Sequence, residues 1–229
     1  MLCCVLAVFT TLVAFPARAL AQASFGNIGL SQGWATFGQA VPQGLVPNGN
    51  GIQVGTLTTQ TDVKNRWPDG SVRFAVVTVN VPTAGNFSLH AGALPSGTLT
   101  PSLPIATAAF VIGGTTYTAP LPATPSADTW LSGPLAYEGR SIVTPLASGT
   151  PHAFLRVIFD TRVYNDGASR VDVTVENVLD KVGASTVTYN VTLNVNGTPF
   201  FTKSAVEHYY LTRWRKMATV GGPFSDVAS

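Results

Sequence analysis

The feature that most constrains this chain is an apolar–polar alternation with a period of two, interrupted by short turn sequences. Within residues 170–178, valines alternate with polar residues, and residues 186–195 repeat the pattern before Asn196-Gly197. A period of two belongs to β-strands with one face on a core, and Asn-Gly favours a tight hairpin turn. We therefore predict an all-β chain with little helix, folded as an antiparallel barrel or sandwich.

Residues 154–164 extend this pattern just before the turn sequence Asn165-Asp166-Gly167. The odd-numbered positions, from Leu155 to Val163, are mostly apolar and are predicted to face the core. The even-numbered positions mix arginine, aspartate and apolar residues, so we expect that face to be exposed.

Two further hairpins are indicated in the first 120 residues. Trp67-Pro68-Asp69-Gly70 has proline and glycine where a type I turn prefers them, between an extended stretch at 52–67 and a strand at 71–81. Gly113-Gly114 fits a second tight turn, and 86–90 fits a shorter strand. Residues 130–145 lack a regular pattern.

Composition excludes several functional classes. Charged residues are only 10% of the 229, against about 25% in ordinary globular domains, and the formal net charge is +2. Such a chain lacks the basic field that nucleic acids or anionic membranes require, so neither is an expected partner. Both cysteines, Cys3 and Cys4, lie at the start, and the three histidines are far apart. We therefore predict no disulfide framework, no metal site and no cofactor.

The N-terminus is typical of a secretion signal. Residues 2–15 are almost wholly apolar, and a small-residue stretch offers cleavage after Ala21 or Ala23. The alternative is a membrane anchor, although the apolar run is shorter than the roughly 20 residues that span a bilayer. We predict a signal peptide at 1–23 and a secreted, periplasmic or cell-surface protein without further membrane association.

The remainder is predicted to be one β-barrel or sandwich domain at 24–220. A proline-rich stretch at 120–127 is where we expect any seam within it. Residues 221–229 resemble a linker.

One candidate ligand-binding site is the turn that contains Trp67, Asp69 and Arg73. An indole ring can stack on the C–H face of a sugar, and the two charged groups can bond its hydroxyls. The alternative is structural, with Trp67 packing on the hairpin and Arg73 paired locally.

A second candidate site lies in residues 207–216, the densest polar and aromatic stretch of the chain. Folded as one strand, this stretch would place His208, Tyr210 and Trp214 on one face and Arg213 and Arg215 on the other. Arginines in this setting suit an acidic sugar such as a uronate. The alternative is an edge strand that positive charge protects from aggregation.

Catalytic residues cannot be assigned from these patterns. Asp172 and Glu176 share one strand face, as a glycosidase pair would, but such residues are usually only solvated. Glu138 and Arg140 lie in the irregular stretch and are weaker candidates.

The run from Trp67 to Ala75 (WPDGSVRFA) resembles the W-x-D-G-S-x-R-W-A signature of the N-terminal RIFT-barrel domain of rhamnogalacturonan exolyase-like proteins, with Phe74 at a position that is often tryptophan. Residues 175–177 and 212–216 also resemble segments of that family, and the likeness covers roughly residues 25–220. It implies a RIFT-barrel-like fold and a pectin-like acidic polysaccharide as ligand. It also implies a C-terminal helical domain, which carries most of the lyase machinery, in a longer parent protein.

Together these observations favour an exported bacterial accessory or binding module for carbohydrate, without catalysis by this chain alone. One alternative is a polysaccharide lyase or hydrolase with its catalytic groups on this domain. Such a lyase would need an arginine to neutralise a uronate and a base such as His208 or Tyr210. Another alternative is a structural or assembly module of a cell-surface or phage-type protein.

Overall fold

The computed structural model describes residues 23–225, and the predicted signal peptide therefore lies almost wholly outside the described residues. This part of the chain contains β-strands and no helix, so no helix in it is long and apolar enough to cross a membrane. The strands pair antiparallel into sheets that pack as sandwiches, which confirms the all-β prediction.

The first half of the described chain has two three-stranded sheets. The strands are β1 (Ser24–Leu30), β2 (Gly33–Ala40), β3 (Asn50–Val54), β4 (Thr59–Arg66), β5 (Val72–Val81) and β6 (Gly85–Ala93). One sheet has the order β1-β6-β3 and the other has the order β2-β5-β4. A core of small and branched apolar side chains, including Ile52, Val54, Val77 and Val79, lies between them.

The predicted hairpin at 67–70 is confirmed and joins β4 to β5. The Trp67 amide donates to the carbonyl of Ser71 at 2.8 Å, and the Gly70 amide donates to the carbonyl of Trp67 at 2.9 Å. Side chains of β5 are buried on both faces, Val76 and Val77 among them, as the uninterrupted apolar run predicts.

The second half has a six-stranded and a five-stranded sheet. Its strands are β7 (Ala106–Ile112), β8 (Thr115–Pro120), β9 (Thr129–Ser132), β10 (Ala136–Val143), β11 (Leu146–Ala147), β12 (Thr150–Pro151), β13 (Arg156–Tyr164), β14 (Ser169–Asn177), β15 (Val187–Val195), β16 (Thr198–His208) and β17 (Thr212–Val220). The six-stranded order is β12-β11-β8-β7-β15-β16, and the five-stranded order is β17-β14-β13-β10-β9.

Alternation along these strands places their apolar faces in a second core. Val157, Phe159, Val171 and Val173 from the five-stranded sheet pack against side chains of the other sheet, such as Phe110. The predicted core face of residues 154–164 is therefore confirmed. The turns predicted at 113–114, 165–167 and 196–197 join β7 to β8, β13 to β14 and β15 to β16.

The two cores are consecutive in sequence, with the stretch 94–105 between the last strand of one and the first strand of the other. The proline-rich stretch 120–127 runs from the end of β8 to the start of β9, between the two sheets of the second half. A smaller cluster that includes Trp34, Val76, Leu131 and Tyr164 joins the halves.

Two stretches differ from the sequence-based expectation. Residues 207–216 do not form one strand, because β16 ends at His208 in the six-stranded sheet and β17 begins at Thr212 in the five-stranded sheet. Leu211, at a φ of 63°, lies in the turn between them, so the face assignment made for a continuous strand is wrong. Residues 130–145 lack a clear alternation but contain β10 and most of β9. Pairing of β10 with β13 and of β9 with β10 holds them in the sheet.

Candidate functional site

The outer face of the five-stranded sheet carries ten charged side chains, many of them joined in ion pairs. The side chains on the inner face of this sheet pack in the core. Because successive side chains of a strand point to opposite sides, the alternate side chains of β10, β13, β14 and β17 point outwards. These outward side chains include Glu138, Arg140, Arg156, Asp160, Arg162, Arg170, Asp172, Glu176, Arg213 and Arg215.

Ion pairs between neighbouring strands organise this face. Arg140 binds Asp160 through two hydrogen bonds, from Nε at 2.7 Å and from Nη2 at 3.1 Å. Hydrogen bonding to Asp160 raises the pKa of Arg140. Arg162 lies 2.5 Å from Glu138, and Arg156 lies 2.5 Å from Glu176. Cross-strand pairs of this kind hold side chains in one geometry, so the centre of the face is a fixed polar floor.

Arg213 and Arg215 lie at the β17 edge of this face, and their contacts with carboxylates are fewer or longer than those of the other arginines. Arg213 is opposite Glu176, whose carboxylate already binds Arg156. Arg215 approaches Asp172 only at 3.6 Å, and 62% of its side chain is exposed. Both arginines line a hollow of about 360 Å³ together with Arg140, Asp160 and Thr174. Their guanidinium groups are therefore placed to bind an anionic group from solvent.

Trp130 stands at the opposite, β9 edge of the same face. Half of the residue is exposed (51%), and the ammonium of Lys64 lies 4.5 Å from its ring centroid. It lines a hollow of about 390 Å³ with Asp128 and, on the floor, Arg140 and Asp160. Arg140 and Asp160 also line the hollow at Arg213 and Arg215, so the two hollows adjoin the same ion pair.

A third hollow, of about 650 Å³, lies where the two halves meet. It is lined by Arg162 and Arg170 from the outer face and by the rings of Trp34, Tyr164 and Phe224. Trp34 and Tyr164 stack with their centroids 4.4 Å apart, and Arg170 is bonded to Asp172 at 2.8 Å. Because these groups bind one another, this hollow offers fewer free donors than the β17 edge.

The first predicted site, at Trp67, forms a compact turn in the other half of the molecule. Trp67 is half-buried, its indole donates to the carbonyl of Val41 at 2.9 Å, and the Arg73 guanidinium lies 4.8 Å from its ring centroid. Asp69 accepts hydrogen bonds from the amide and the hydroxyl of Ser71, at 2.9 and 2.6 Å, and these bonds lower the pKa of its carboxyl. The motif thus has a complete structural role in the β4–β5 turn.

The side chains of three residues of the second predicted site form hydrogen bonds within the protein. His208 is buried, with Nδ1 2.8 Å from the Tyr189 hydroxyl and Nε2 3.0 Å from the Thr212 carbonyl. The Trp214 indole donates to the same Tyr189 hydroxyl at 2.8 Å. Tyr210 donates to Asp180 at 3.0 Å. Burial lowers the pKa of His208 and raises the pKa of Tyr189 to about 12, so both are neutral near pH 7.

The structure therefore brings together only Arg213 and Arg215 of the eight predicted residues on the outer face. It adds Trp130, Asp128, Arg140 and Asp160 to them. The expectation that the even-numbered side of β13 is exposed is wrong, because Ile158 and Tyr164 are buried and the charged residues of that side are half-buried in ion pairs. Asp128 precedes a short strand without periodic signal, and Trp130 lies within it. The positions of Trp130 and Asp128 on the outer face depend on the pairing of β9 with β10.

Among residues 23–225 no three histidine, cysteine, aspartate or glutamate side chains cluster as metal ligands would. The outer face offers guanidinium groups, carboxylates and the exposed indole of Trp130. Comparison of the chain with protein-family models, curated proteins and solved structures finds no match.

Proposed function

We propose that this chain is an exported carbohydrate-binding module whose ligand, an acidic polysaccharide, lies on the outer face of the five-stranded sheet. The observation that carries the proposal is the pair of neighbouring hollows that both contain Arg140 and Asp160 in their lining. An exposed indole stands at one end of these hollows and two weakly paired arginines stand at the other.

The chemistry of the two ends supports a glycan. An indole ring stacks on the C–H face of a pyranose, and a neighbouring carboxylate such as Asp128 accepts hydrogen bonds from hydroxyls. Guanidinium groups bind a uronate carboxylate through paired hydrogen bonds. The Arg140–Asp160 pair between the two ends offers further donors and acceptors without a net charge.

Export and the accessory role belong to the same proposal. The apolar stretch at 2–15 and the small residues before Ser24 support secretion. A lyase that used His208 as its base is less well supported, because the ring is buried and both of its nitrogens are already hydrogen bonded.

The indole N–H signals of the four tryptophans provide a direct test with residues 23–225 labelled with ¹⁵N. Three indoles donate inside the protein, from Trp34 to Asp166, from Trp67 to Val41 and from Trp214 to Tyr189. On titration with polygalacturonate oligomers, we expect the Trp130 signal to shift while the Trp67 signal stays in place.

Charge-matched variants locate the ligand independently. We expect the double variant Arg213→Ala/Arg215→Ala to weaken binding to immobilised polygalacturonate at least about tenfold. The double variant Arg66→Ala/Arg73→Ala removes the same charge from the first half and should bind as the wild type does. Loss of binding in the second variant alone, with a shift of Trp67, would place the ligand at the β4–β5 turn. No retention of the wild type on any uronate polymer would refute the proposal.

A further inference from the structure

We infer that the glycan crosses the strands of the five-stranded sheet instead of following them, and that one ligand contacts Trp130 and the Arg213–Arg215 pair at once. This inference rests on the proposed function and specifies the length and direction of its ligand. The inference follows from the strand order, from the ion pair that both hollows share and from the different groups at their two ends.

Strand order sets the distance between the two ends. β17 and β9 are the opposite edges of the sheet, and β14, β13 and β10 lie between them. Neighbouring strands are about 4.8 Å apart, so the span from β17 to β9 is roughly 19 Å. A single sugar ring cannot reach across this distance, and a ligand that uses both ends must be an oligomer.

Register shows that the path is slightly oblique. Arg140, Asp160 and Asp172 lie opposite one another, and the next residue in that row is Met217 on β17. Arg215 lies two residues from Met217 along β17, so both side chains are on the same face. At the other edge of the sheet, Trp130 on β9 lies beside the end of this row. The row passes through Arg140 and Asp160, which line both hollows.

The two ends differ in the groups that they offer to a ligand. At Trp130 the carboxylates of Glu138 and Asp160 are bound by Arg162 and Arg140, and the Lys64 ammonium lies 4.5 Å from the ring centroid, so the exposed indole is the group on which a sugar ring would stack. Arg213 and Arg215 add two cations at the other hollow, whose acid, Asp160, is already bound by Arg140. The ligand therefore places a sugar ring on Trp130 and a carboxylate at the arginines.

A length series tests this arrangement, with oligogalacturonates from the dimer upwards titrated into residues 23–225 by calorimetry. We expect affinity to rise with length until the oligomer spans both ends, by about tenfold or more, and then to level off. In the long oligomers, Trp130→Ala and Arg213→Ala/Arg215→Ala should each weaken binding about tenfold. In the shortest oligomers, only the arginine variant should matter.

The controls separate this inference from the proposed function. Tyr209→Ala removes another exposed aromatic side chain, outside both hollows, and should leave the length dependence unchanged. Trp130→Phe keeps a stacking ring and should restore most of the affinity. If oligomers bind but affinity does not depend on length, or Trp130→Ala has no effect on long oligomers, the crossing is refuted and the proposed function stands.

Two other outcomes overturn both. If no oligomer of any length binds, neither the carbohydrate function nor the crossing is correct. If polyglutamate binds as tightly as polygalacturonate and responds to the same variants, the face recognises acidic protein chains by charge, and the glycan assignment is wrong. High salt should weaken wild-type binding but should not affect the residual binding of the arginine variant to the same degree.

Discussion

The side-chain oxygen of Gln60 lies 2.7 Å from the amide nitrogen of Ala136, so a residue of the first half completes the backbone hydrogen bonding of the second. The same oxygen accepts from the amide of Leu135 at 2.8 Å, and the Gln60 amide donates to the Ala136 carbonyl at 3.0 Å. Gln60 is almost fully buried (2% exposed). This carboxamide therefore links the sheet of β4 to the strand β10 that forms part of the outer face.

We expect Gln60→Ala to lower the free energy of unfolding of residues 23–225 by about 1–3 kcal/mol for each amide left without an acceptor. Urea denaturation measures this loss. Gln53→Ala is the matched control, because Gln53 makes its hydrogen bond at the surface, to the Ala93 carbonyl. Equal stability of the two variants would mean that Gln60 does not join the halves.

The polar network around Tyr189 gives a second stability prediction. Its hydroxyl accepts from Trp214 and bonds His208, so Tyr189→Phe leaves a part-buried indole N–H and a buried imidazole nitrogen without a partner. We expect a loss of about 1–3 kcal/mol in the free energy of unfolding. Tyr209→Phe, which removes an exposed hydroxyl that bonds Glu207, should change stability by less than about 0.5 kcal/mol. A neutral effect of Tyr189→Phe would contradict the network.

Stability should also fall in mild acid. Burial lowers the pKa of His208 and of His152 below the ordinary 6.5, so the unfolded chain binds protons that the folded chain does not. The stabilisation is therefore complete above about pH 6.5 and is lost as pH falls through that value towards the folded pKa of each residue.

We expect the free energy of unfolding to decline by up to about 1.4 kcal/mol per pH unit for each of the two histidines. Denaturation midpoints at about pH 7.5 and about pH 5.5 measure the decline. His208→Gln should be less stable near pH 7 but should depend less on pH. The same pH dependence in wild type and variant would exclude His208 as a contributor.

The C-terminal segment is held by a close approach of two backbones at Gly33. Trp34 donates to the Pro223 carbonyl at 3.0 Å, and Ser225 donates to the Trp34 carbonyl at 2.8 Å. Gly33 has a φ of 112°, and a Cβ there would lie 2.4 Å from the Pro223 oxygen. Alanine at this position must therefore displace the segment.

We expect Gly33→Ala to lower the free energy of unfolding by at least about 1 kcal/mol more than Gly44→Ala does. Gly44 also has a positive φ, of 82°, but a Cβ there meets no atom within 4 Å, so it reports backbone strain alone. Limited proteolysis should cut the C-terminal segment faster in Gly33→Ala only. Equal effects of the two substitutions would contradict the contact.

The strands and tight turns of this protein were predictable because their signals are local. Val171, Val173 and Val175 face the core wherever β14 pairs, since successive side chains of a strand point to opposite sides. Asn196-Gly197 forms its turn because both residues take a positive φ, at 48° and 79°.

The candidate site was not predictable, because it depends on contacts between distant residues. Arg213 and Arg215 face outwards with Arg140 and Asp160 only because β17 pairs with β14, and β14 with β13. His208 and Trp214 turn inwards because the chain passes from one sheet to the other at 209–211. Alternation in the sequence separates the two faces of each strand. The order of the strands depends on packing of the whole core, and it is this order that places Trp130 and the arginines on one surface.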